Sequence, residues 1–248
     1  EDVIIDGIFS ISYSAGVFDG FNFFSYNLHL LAENFIGIAL VEEGLKWLVL
    51  FLFTRKNKHF NSLFDGIIYS VFVSLGFAIH ENVLYVFEYG FSTALLRAIT
   101  AVPGHMFFGV IMGYYYTFWH TSLFAARVED IIISRGLASQ QKRFFKPLHL
   151  LVLSLVMPIL AHGFYDYCCS IDATWATVLF YVFLGSLYVY CFGKIRSISK
   201  TDTDTSIYAV RWLMKKYPQL IVEITWILAE LSGVPVDKKE NPGTTENV

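Results

Sequence analysis

Charged residues are scarce in this chain, and its apolar residues come in long blocks. Only 16% of the 248 residues are Asp, Glu, Lys or Arg, whereas 55% are hydrophobic and the mean hydropathy is +0.52. Soluble globular domains carry about 25% charged residues. The composition therefore excludes an ordinary soluble domain and indicates a polytopic membrane protein. We expect the lipid bilayer as its environment and no nucleic acid as its partner.

Cysteine is also scarce, and two common catalytic or metal-binding motifs are absent. The chain has three cysteines: Cys168, Cys169 and Cys191. They form neither a disulfide framework nor a CxxC metal pair, and none has an obvious partner base. The zincin motif HExxH is also excluded, because His80-Glu81 is followed by leucine at position 84. The sequence lacks an initiator Met and a signal peptide, so we expect that it begins part-way through a longer protein.

Five apolar stretches approach or exceed the roughly 20 residues that a helix needs to cross a bilayer. They cover approximately residues 30–53, 62–89, 93–119, 148–169 and 175–192. Basic residues occur at alternate ends of these stretches, so the positive-inside rule assigns segments 54–61, 120–147 and 194–248 to the cytoplasm. We therefore predict an all-α polytopic bundle of about five spans.

Three regions follow from this pattern. Residues 1–28 contain no Lys or Arg and are predicted to be an extracytoplasmic or interfacial segment. Residues 29–193 form the predicted transmembrane catalytic bundle. Residues 194–248 form a cytoplasmic tail, in which helical spacing predicts an amphipathic helix pair on the membrane surface, divided at Pro218. The last residues, 237–248, are polar and predicted to be disordered.

The first span carries three charges, Glu42, Glu43 and Lys46, in the middle of an apolar run. Each ionised side chain at the centre of a membrane helix costs roughly 2.5–3.5 kcal/mol. The simpler interpretation is a structural ion pair, because Lys46 is three or four residues from each carboxylate. One lysine cannot neutralise two carboxylates, however, and this favours a functional role. Adjacent helical residues diverge by about 100°, so one glutamate should line a cavity and the other should pair with Lys46.

The next three spans carry further polar side chains. Glu81 lies in the second span, His105 in the third, and His162 and Asp166 lie one turn apart in the fourth. His105 alone could be a structural histidine beside a glycine packing face, and Asp166 could be a helix-end residue. Together these groups are too many for packing alone. We predict that Glu42, Glu81, His105 and His162 converge in one cavity.

These residue types suit hydrolysis. A carboxylate can deprotonate a water molecule, and two histidines with a glutamate are the ligand types of a catalytic zinc site. The alternative is a proton- or cation-coupled transporter or channel that uses the same groups as a relay. A scaffold that binds transmembrane helices without catalysis is a third possibility. The absence of an internal repeat argues against an inverted-repeat transporter.

The order of these motifs resembles one protein family. The matching pieces are Glu42-Glu43-x-x-Lys46, Asp65-Gly66 leading to Gly76-Phe77-Ala78-x-x-Glu81-Asn82-x-x-Tyr85, Arg97 with His105, and His162-Gly163-x-x-Asp166. Over about residues 36–167 they are similar to the PrsW family of intramembrane proteases, which is related to the CAAX-processing and bacteriocin-processing membrane proteases. The resemblance implies a multi-pass protein of the bacterial plasma membrane with a cytoplasmic C-terminus. It also implies cleavage of a membrane-anchored substrate such as an anti-sigma factor.

The resemblance also implies roles for individual residues. Glu42 or Glu43, with Glu42 preferred, activates the water. Asp166 assists catalysis, either as the acceptor that orients His162 or as a ligand itself. Glu81, His105 and His162 are the implied ligands of Zn²⁺, although Glu81 stands where the CAAX-protease relatives have a histidine.

Overall fold

The computed structural model describes residues 19–57, 59–139, 148–201 and 204–231, and most of them are helical. Within these ranges the only β pairing is an isolated bridge between Ser62 and Asp204. The helical elements are α1 (Asp19–Ala32), a π-helical segment (Glu33–Ala39), α2 (Leu40–Thr54), α3 (Asp65–Tyr89), α4 (Phe91–Ser134), α5 (Leu148–Ser170), α6 (Thr174–Thr201), α7 (Thr205–Lys216), a 3₁₀ turn (Pro218–Leu220) and α8 (Ile221–Leu231). The predicted all-α fold is confirmed. The predicted disordered tail, 237–248, and the first part of the N-terminal segment, 1–18, lie outside the described residues.

The first predicted span belongs to a longer helical run that begins at Asp19. The run changes from α to π geometry at Glu33–Ala39, a wider turn that is often found at functional sites. Within this segment Phe35 packs directly against Gly163 of α5, where a Cβ atom would lie 2.6 Å from the phenylalanine ring. Glycine at position 163 therefore allows the π-helical segment to approach α5 closely.

Helices α3 and α4 form a hairpin around Gly90. Gly90 has a φ of 87°, in the left-handed region that glycine adopts without strain, and its N–H donates to the Val86 carbonyl. Because Phe91 already begins α4, the connection between the second and third predicted spans is reduced to one residue.

Small residues allow these two helices to pack closely. The Ser70 hydroxyl donates to the Gly109 carbonyl at 2.7 Å, and a Cβ atom on Gly113 would lie 2.7 Å from Ile67 Cα. The glycine stripe predicted on the third span therefore faces α3. This packing determines how far His105, one turn before Gly109, lies from the residues of α3.

Helix α4 is 44 residues long and continues to Ser134, well beyond the predicted span end at residue 119. Part of the polar connection predicted at residues 120–147 is therefore helical, as far as residue 134. Helices α7 and α8 cover the apolar side of this extension, so their buried apolar residues pack on α4. The buried residues of this second core are Ala125, Val128, Ile132, Ala209, Leu213, Tyr217, Leu220, Ile224 and Ile227.

The C-terminal helix pair is divided at the position that the sequence predicts, and its first helix begins with a side-chain cap. The Asp204 carboxylate caps α7 by accepting from the Ser206 N–H at 2.7 Å, and Pro218 begins the 3₁₀ turn that separates α7 from α8. Glu129 of α4 is buried and accepts from Lys216 at 2.6 Å and from the Tyr217 hydroxyl at 2.5 Å. Burial and the Glu129 carboxylate raise the pKa of Tyr217, so the phenol remains a donor.

Four of the described helices are long and apolar enough to cross a membrane. They are α3, α4, α5 and α6. Large apolar side chains point outward from them, as shown by Phe87, which is 84% exposed. The first predicted span, residues 30–53, instead combines the π-helical segment with the 15-residue helix α2 and carries the charged residues of the site.

Candidate active site

Lys46 lies at the centre of the polar cluster on α2. Its Nζ atom is 2.7 Å from Glu43 Oε1 and 3.3 Å from Glu42 Oε2, as the spacing on one helix predicts. The side chains of Lys46 and Glu43 are 0% exposed, whereas that of Glu42 is 17% exposed. The two adjacent carboxylates therefore occupy different environments, and only Glu42 is partly accessible.

His105 of α4 connects Lys46 to a second charged pair. Its Nδ1 atom is 3.0 Å from Lys46 Nζ, and an ammonium group can only donate, so Nδ1 accepts. The ring proton of a neutral His105 then sits on Nε2, which is 2.9 Å from Glu81 Oε2. The other Glu81 oxygen accepts from Arg97 at 2.5 Å. Both Glu81 oxygens are therefore engaged.

Arg97 is held by an aromatic ring as well as by Glu81. Its guanidinium carbon lies 3.6 Å from the ring centroid of Tyr85, within the range of a cation–π contact. Tyr85 follows Glu81 by one turn of α3, so one helix face supplies both partners of Arg97. This arrangement fixes the orientation of the Glu81 carboxylate toward His105.

His162 of α5 has a similar environment. Its Nδ1 atom lies 2.9 Å from Glu43 Oε1, and its Nε2 atom lies 3.1 Å from Asp166 Oδ2. Phe108, one turn after His105, stacks on the imidazole with ring centroids 4.8 Å apart. The predicted pairing of His162 with Asp166 is thus present in the structure.

The two histidines therefore share one pattern. Each has a carboxylate on Nε2, as in the carboxylate–histidine pairs of metal sites. Each also places Nδ1 beside another member of the cluster, Lys46 for His105 and Glu43 for His162. One ligand atom from each of Glu42, Glu43, His105 and His162 lies within 4.8 Å of the others. In addition, Glu43 Oε2 is buried and has no hydrogen-bond partner. Donor types, orientation and this unpaired oxygen fit a divalent metal ion.

The charges of the cluster also fit a divalent cation. Four carboxylates face two permanent cations, which leaves an excess of two negative charges when both imidazoles are neutral. The carboxylates are Glu42, Glu43, Glu81 and Asp166, and the cations are Lys46 and Arg97. Such an excess is unfavourable in a low-dielectric interior and is balanced either by two protons or by a divalent ion.

The cluster opens into a polar cavity of about 280 Å³. Its lining residues are Ile38, Glu42, Glu81, Tyr85, Arg97, Ala101, His105, Phe108, His162, Tyr165 and Asp166. The prediction that Glu42, Glu81, His105 and His162 converge in one cavity is confirmed. Glu43 does not line this cavity and pairs with Lys46, as the sequence predicts for one of the two glutamates. Glu42 lines the cavity, but it also lies 3.3 Å from Lys46 Nζ, so the predicted division is only partial.

Comparison with known proteins identifies the family. Residues 3–192 match the sequence model of the family described as "PrsW family intramembrane metalloprotease". The chain belongs to the PrsW family. It is 34% identical to protease PrsW of Clostridioides difficile over 71% of this chain and 67% of that protein, and 33% identical to protease PrsW of Bacillus subtilis over 67% and 68%. Protease PrsW of Halalkalibacterium halodurans is 36% identical over 68% and 67%. No solved structure matches the chain significantly.

Membership of the PrsW family decides between the general interpretations of the sequence. The chain is a multi-pass bacterial membrane protein of an intramembrane protease family, and the transporter or channel alternative is not favoured. The match includes every residue of the polar cluster, since the cluster lies between residues 42 and 166.

The group of clustered donors differs in composition from the predicted ligand set of Glu81, His105 and His162. Glu81 was expected beside His105 and His162 as a metal ligand, but it is not in the group of four clustered donors. Its oxygens contact Arg97 and His105 Nε2 instead. The sequence analysis also did not single out Phe108 or Tyr165, although their helical spacing from His105 and His162 places them on the same faces.

Proposed function

We propose that this chain is an endopeptidase that hydrolyses a peptide bond of a membrane-anchored protein by means of a glutamate-activated water. The observation that supports this most directly is the group of two histidines and two glutamates beside a polar cavity in an apolar helix bundle. An anti-sigma factor is the kind of substrate that the family resemblance implies. The catalytic unit would be the bundle 29–193, with 194–248 on the cytoplasmic side.

Glu42 is the proposed general base. It lines the cavity, and its partial exposure gives a water molecule access to its carboxylate. Glu42 would take a proton from water as the oxygen attacks the scissile carbonyl carbon, and would then give this proton to the leaving amine as the C–N bond breaks. Glu43 lacks this access, because it is fully buried against Lys46 and His162.

The donor set fits Zn²⁺, and His105 Nδ1, His162 Nδ1 and Glu43 are the proposed ligands. A zinc ion bound there would act as a Lewis acid toward the carbonyl and the attacking water. Glu81 and Asp166 would hold His105 and His162 in the ligating orientation through their Nε2 atoms. This assignment changes Glu81 from a ligand to a positioning residue, because Glu81 contacts His105 Nε2 and is not among the four clustered donors.

The test is cleavage of a candidate single-span substrate by purified protein in lipid vesicles, with metal analysis of the same preparation. We expect Glu42→Gln to abolish cleavage while the protein still inserts and accumulates. Glu88→Gln is the matched control, because Glu88 lies on α3 in an exposed position outside the cavity. Substantial cleavage by Glu42→Gln would exclude Glu42 as the base and transfer this role to Glu43. If the wild-type protein cleaves no candidate, the protease proposal loses its support.

A further inference from the structure

Lys46 contacts the same atoms that a metal ion would need. Its Nζ atom is 2.7 Å from Glu43 Oε1, 3.3 Å from Glu42 Oε2 and 3.0 Å from His105 Nδ1. These three residues belong to the group of four clustered donors, and the fourth, His162, shares Glu43 Oε1 with the lysine. The ammonium group therefore engages most of the potential metal ligands directly.

We propose that Lys46 is a built-in cation that competes with a divalent metal ion for this donor set. The metal-free cluster is held together by the ammonium group, and a metal ion binds only when this group moves away from the ligand atoms. The inference depends on the donor set of the proposed function. It adds that Lys46 competes with the metal ion for these donor atoms and thereby sets the metal affinity of the protein.

Two physical reasons make joint occupancy unfavourable. A lone pair that accepts a hydrogen bond from Lys46 is not available to a metal ion, and His105 Nδ1 has only one. An ammonium group and a divalent ion within one shell of donors also repel each other strongly in a buried site. In its present position Lys46 Nζ also lies 4.5 Å from the ring centroid of Phe77, a cation–π contact that does not depend on the donor atoms.

Loss of one positive charge could by itself strengthen cation binding, so the test needs a control for charge. Arg97 provides it, because it lines the same cavity but contacts Glu81 and Tyr85 rather than the clustered donors. Lys46→Met and Arg97→Met each remove one positive charge. Only the first removes a direct competitor for the ligand atoms.

The experiment measures the affinity for Zn²⁺ of purified protein in detergent, by competition with a chromophoric chelator. We expect Lys46→Met to bind one zinc ion per chain at least about tenfold more tightly than the wild type, a change of the size that neighbours of metal ligands produce. We expect no gain for Lys46→Arg, which keeps the cation. We expect a lower affinity for Arg97→Met, because Arg97 orients the Glu81 carboxylate toward His105. Addition of His105→Ala to Lys46→Met should remove the gain, which would show that the zinc ion binds in this cluster.

Several results would overturn the inference. Equal affinities of Lys46→Met and the wild type would show that the lysine does not compete. An equal gain in Arg97→Met would mean that net charge alone explains the effect. If neither protein bound zinc, the cluster would not be a metal site. If Lys46→Met does not accumulate as folded protein, Lys46→Gln carries the same expectation. Because zinc affinity is measured without substrate, these results are independent of whether Glu42→Gln abolishes cleavage.

Discussion

Single residues in the cluster have roles that depend on which ring nitrogen they contact. Asp166 contacts His162 Nε2, whereas Glu43 contacts Nδ1 of the same ring. A carboxylate on Nε2 fixes the orientation of the ring and raises its basicity, but it takes no direct part in the reaction. Loss of such a partner therefore weakens a site, whereas loss of the imidazole removes it.

The first prediction compares His162→Ala with Asp166→Asn. We expect His162→Ala to be inactive, because the proposed ligand atom Nδ1 is lost together with its contact with Glu43. Asp166→Asn should keep a measurable activity, reduced about 10–100-fold, because an amide oxygen can still accept from Nε2–H. The measurement is the initial rate of substrate cleavage at equal amounts of inserted protein. Wild-type activity in Asp166→Asn would instead assign Asp166 to the helix end alone.

The second prediction concerns Glu81, which the sequence suggests as a ligand and the contacts suggest as a positioning residue. As a positioning residue, Glu81→Gln should lower both zinc affinity and cleavage about 10–100-fold without abolishing either. Glu88→Gln on the same helix serves as the control and should behave as the wild type. Complete loss of zinc binding in Glu81→Gln would restore Glu81 as a ligand.

Helical spacing predicts much of the candidate site but not its inner arrangement. The one-turn relation of His162 to Asp166 and of Glu42 to Lys46 follows from the sequence alone. Spacing along one helix does not predict the distance between two helices or the rotation of each helix about its axis. For this reason the engagement of Glu81 by Arg97, and the central position of Lys46, required the three-dimensional structure.

Among the helices, the α3–α4 pair determines the position of His105. The two helices touch through glycine and serine, so their separation is set by backbone contacts rather than by large side chains. A larger side chain at this contact would push the helices apart and move His105 away from Glu81. The pair thus couples helix packing to the geometry of the site.

The third prediction tests this contact with Gly113→Ala. The added methyl group would meet the Gly66 carbonyl oxygen and lie 2.7 Å from Ile67 Cα, and overpacking of this kind costs about 1–3 kcal/mol of the free energy of unfolding. Gly76→Ala on α3 is the matched control, since nothing lies within 4 Å of its added Cβ atom. Thermal unfolding in detergent should show a lower midpoint for Gly113→Ala only. Equal midpoints would mean that the helices separate without cost.

The extension of α4 illustrates which elements the sequence does not reveal. Residues 120–134 mix polar and apolar side chains and resemble a connection. They are helical because α7 and α8 bury one side of them, with Val128 and Leu213 fully inaccessible. This stabilisation comes from residues about 85 positions later in the chain (213 minus 128), so a local pattern could not indicate it.

In the whole molecule, the described parts of the three basic segments contact one another at one end of the bundle. The segment after α2 meets the start of α7, where the Thr205 N–H donates to the Asn61 carbonyl at 2.8 Å. Helix α7 in turn packs on the extension of α4. The Gly90 turn lies at the opposite end of α3, about 37 Å away for a helix of 25 residues. The end of the bundle where these segments meet is therefore opposite the end that carries the Gly90 turn.

The last prediction assigns these two ends to the two sides of the membrane. The positive-inside rule places the Lys56 segment in the cytoplasm and Ser92, next to the Gly90 turn, outside. Single cysteines at these exposed positions can be tested in a Cys169→Ser background, since the other two cysteines are buried. A membrane-impermeant maleimide should label Ser92→Cys in intact cells and Lys56→Cys only after permeabilisation. The reverse labelling pattern would invert the orientation. It would then place the C-terminal helix pair outside the cell, where cytoplasmic partners could not reach it.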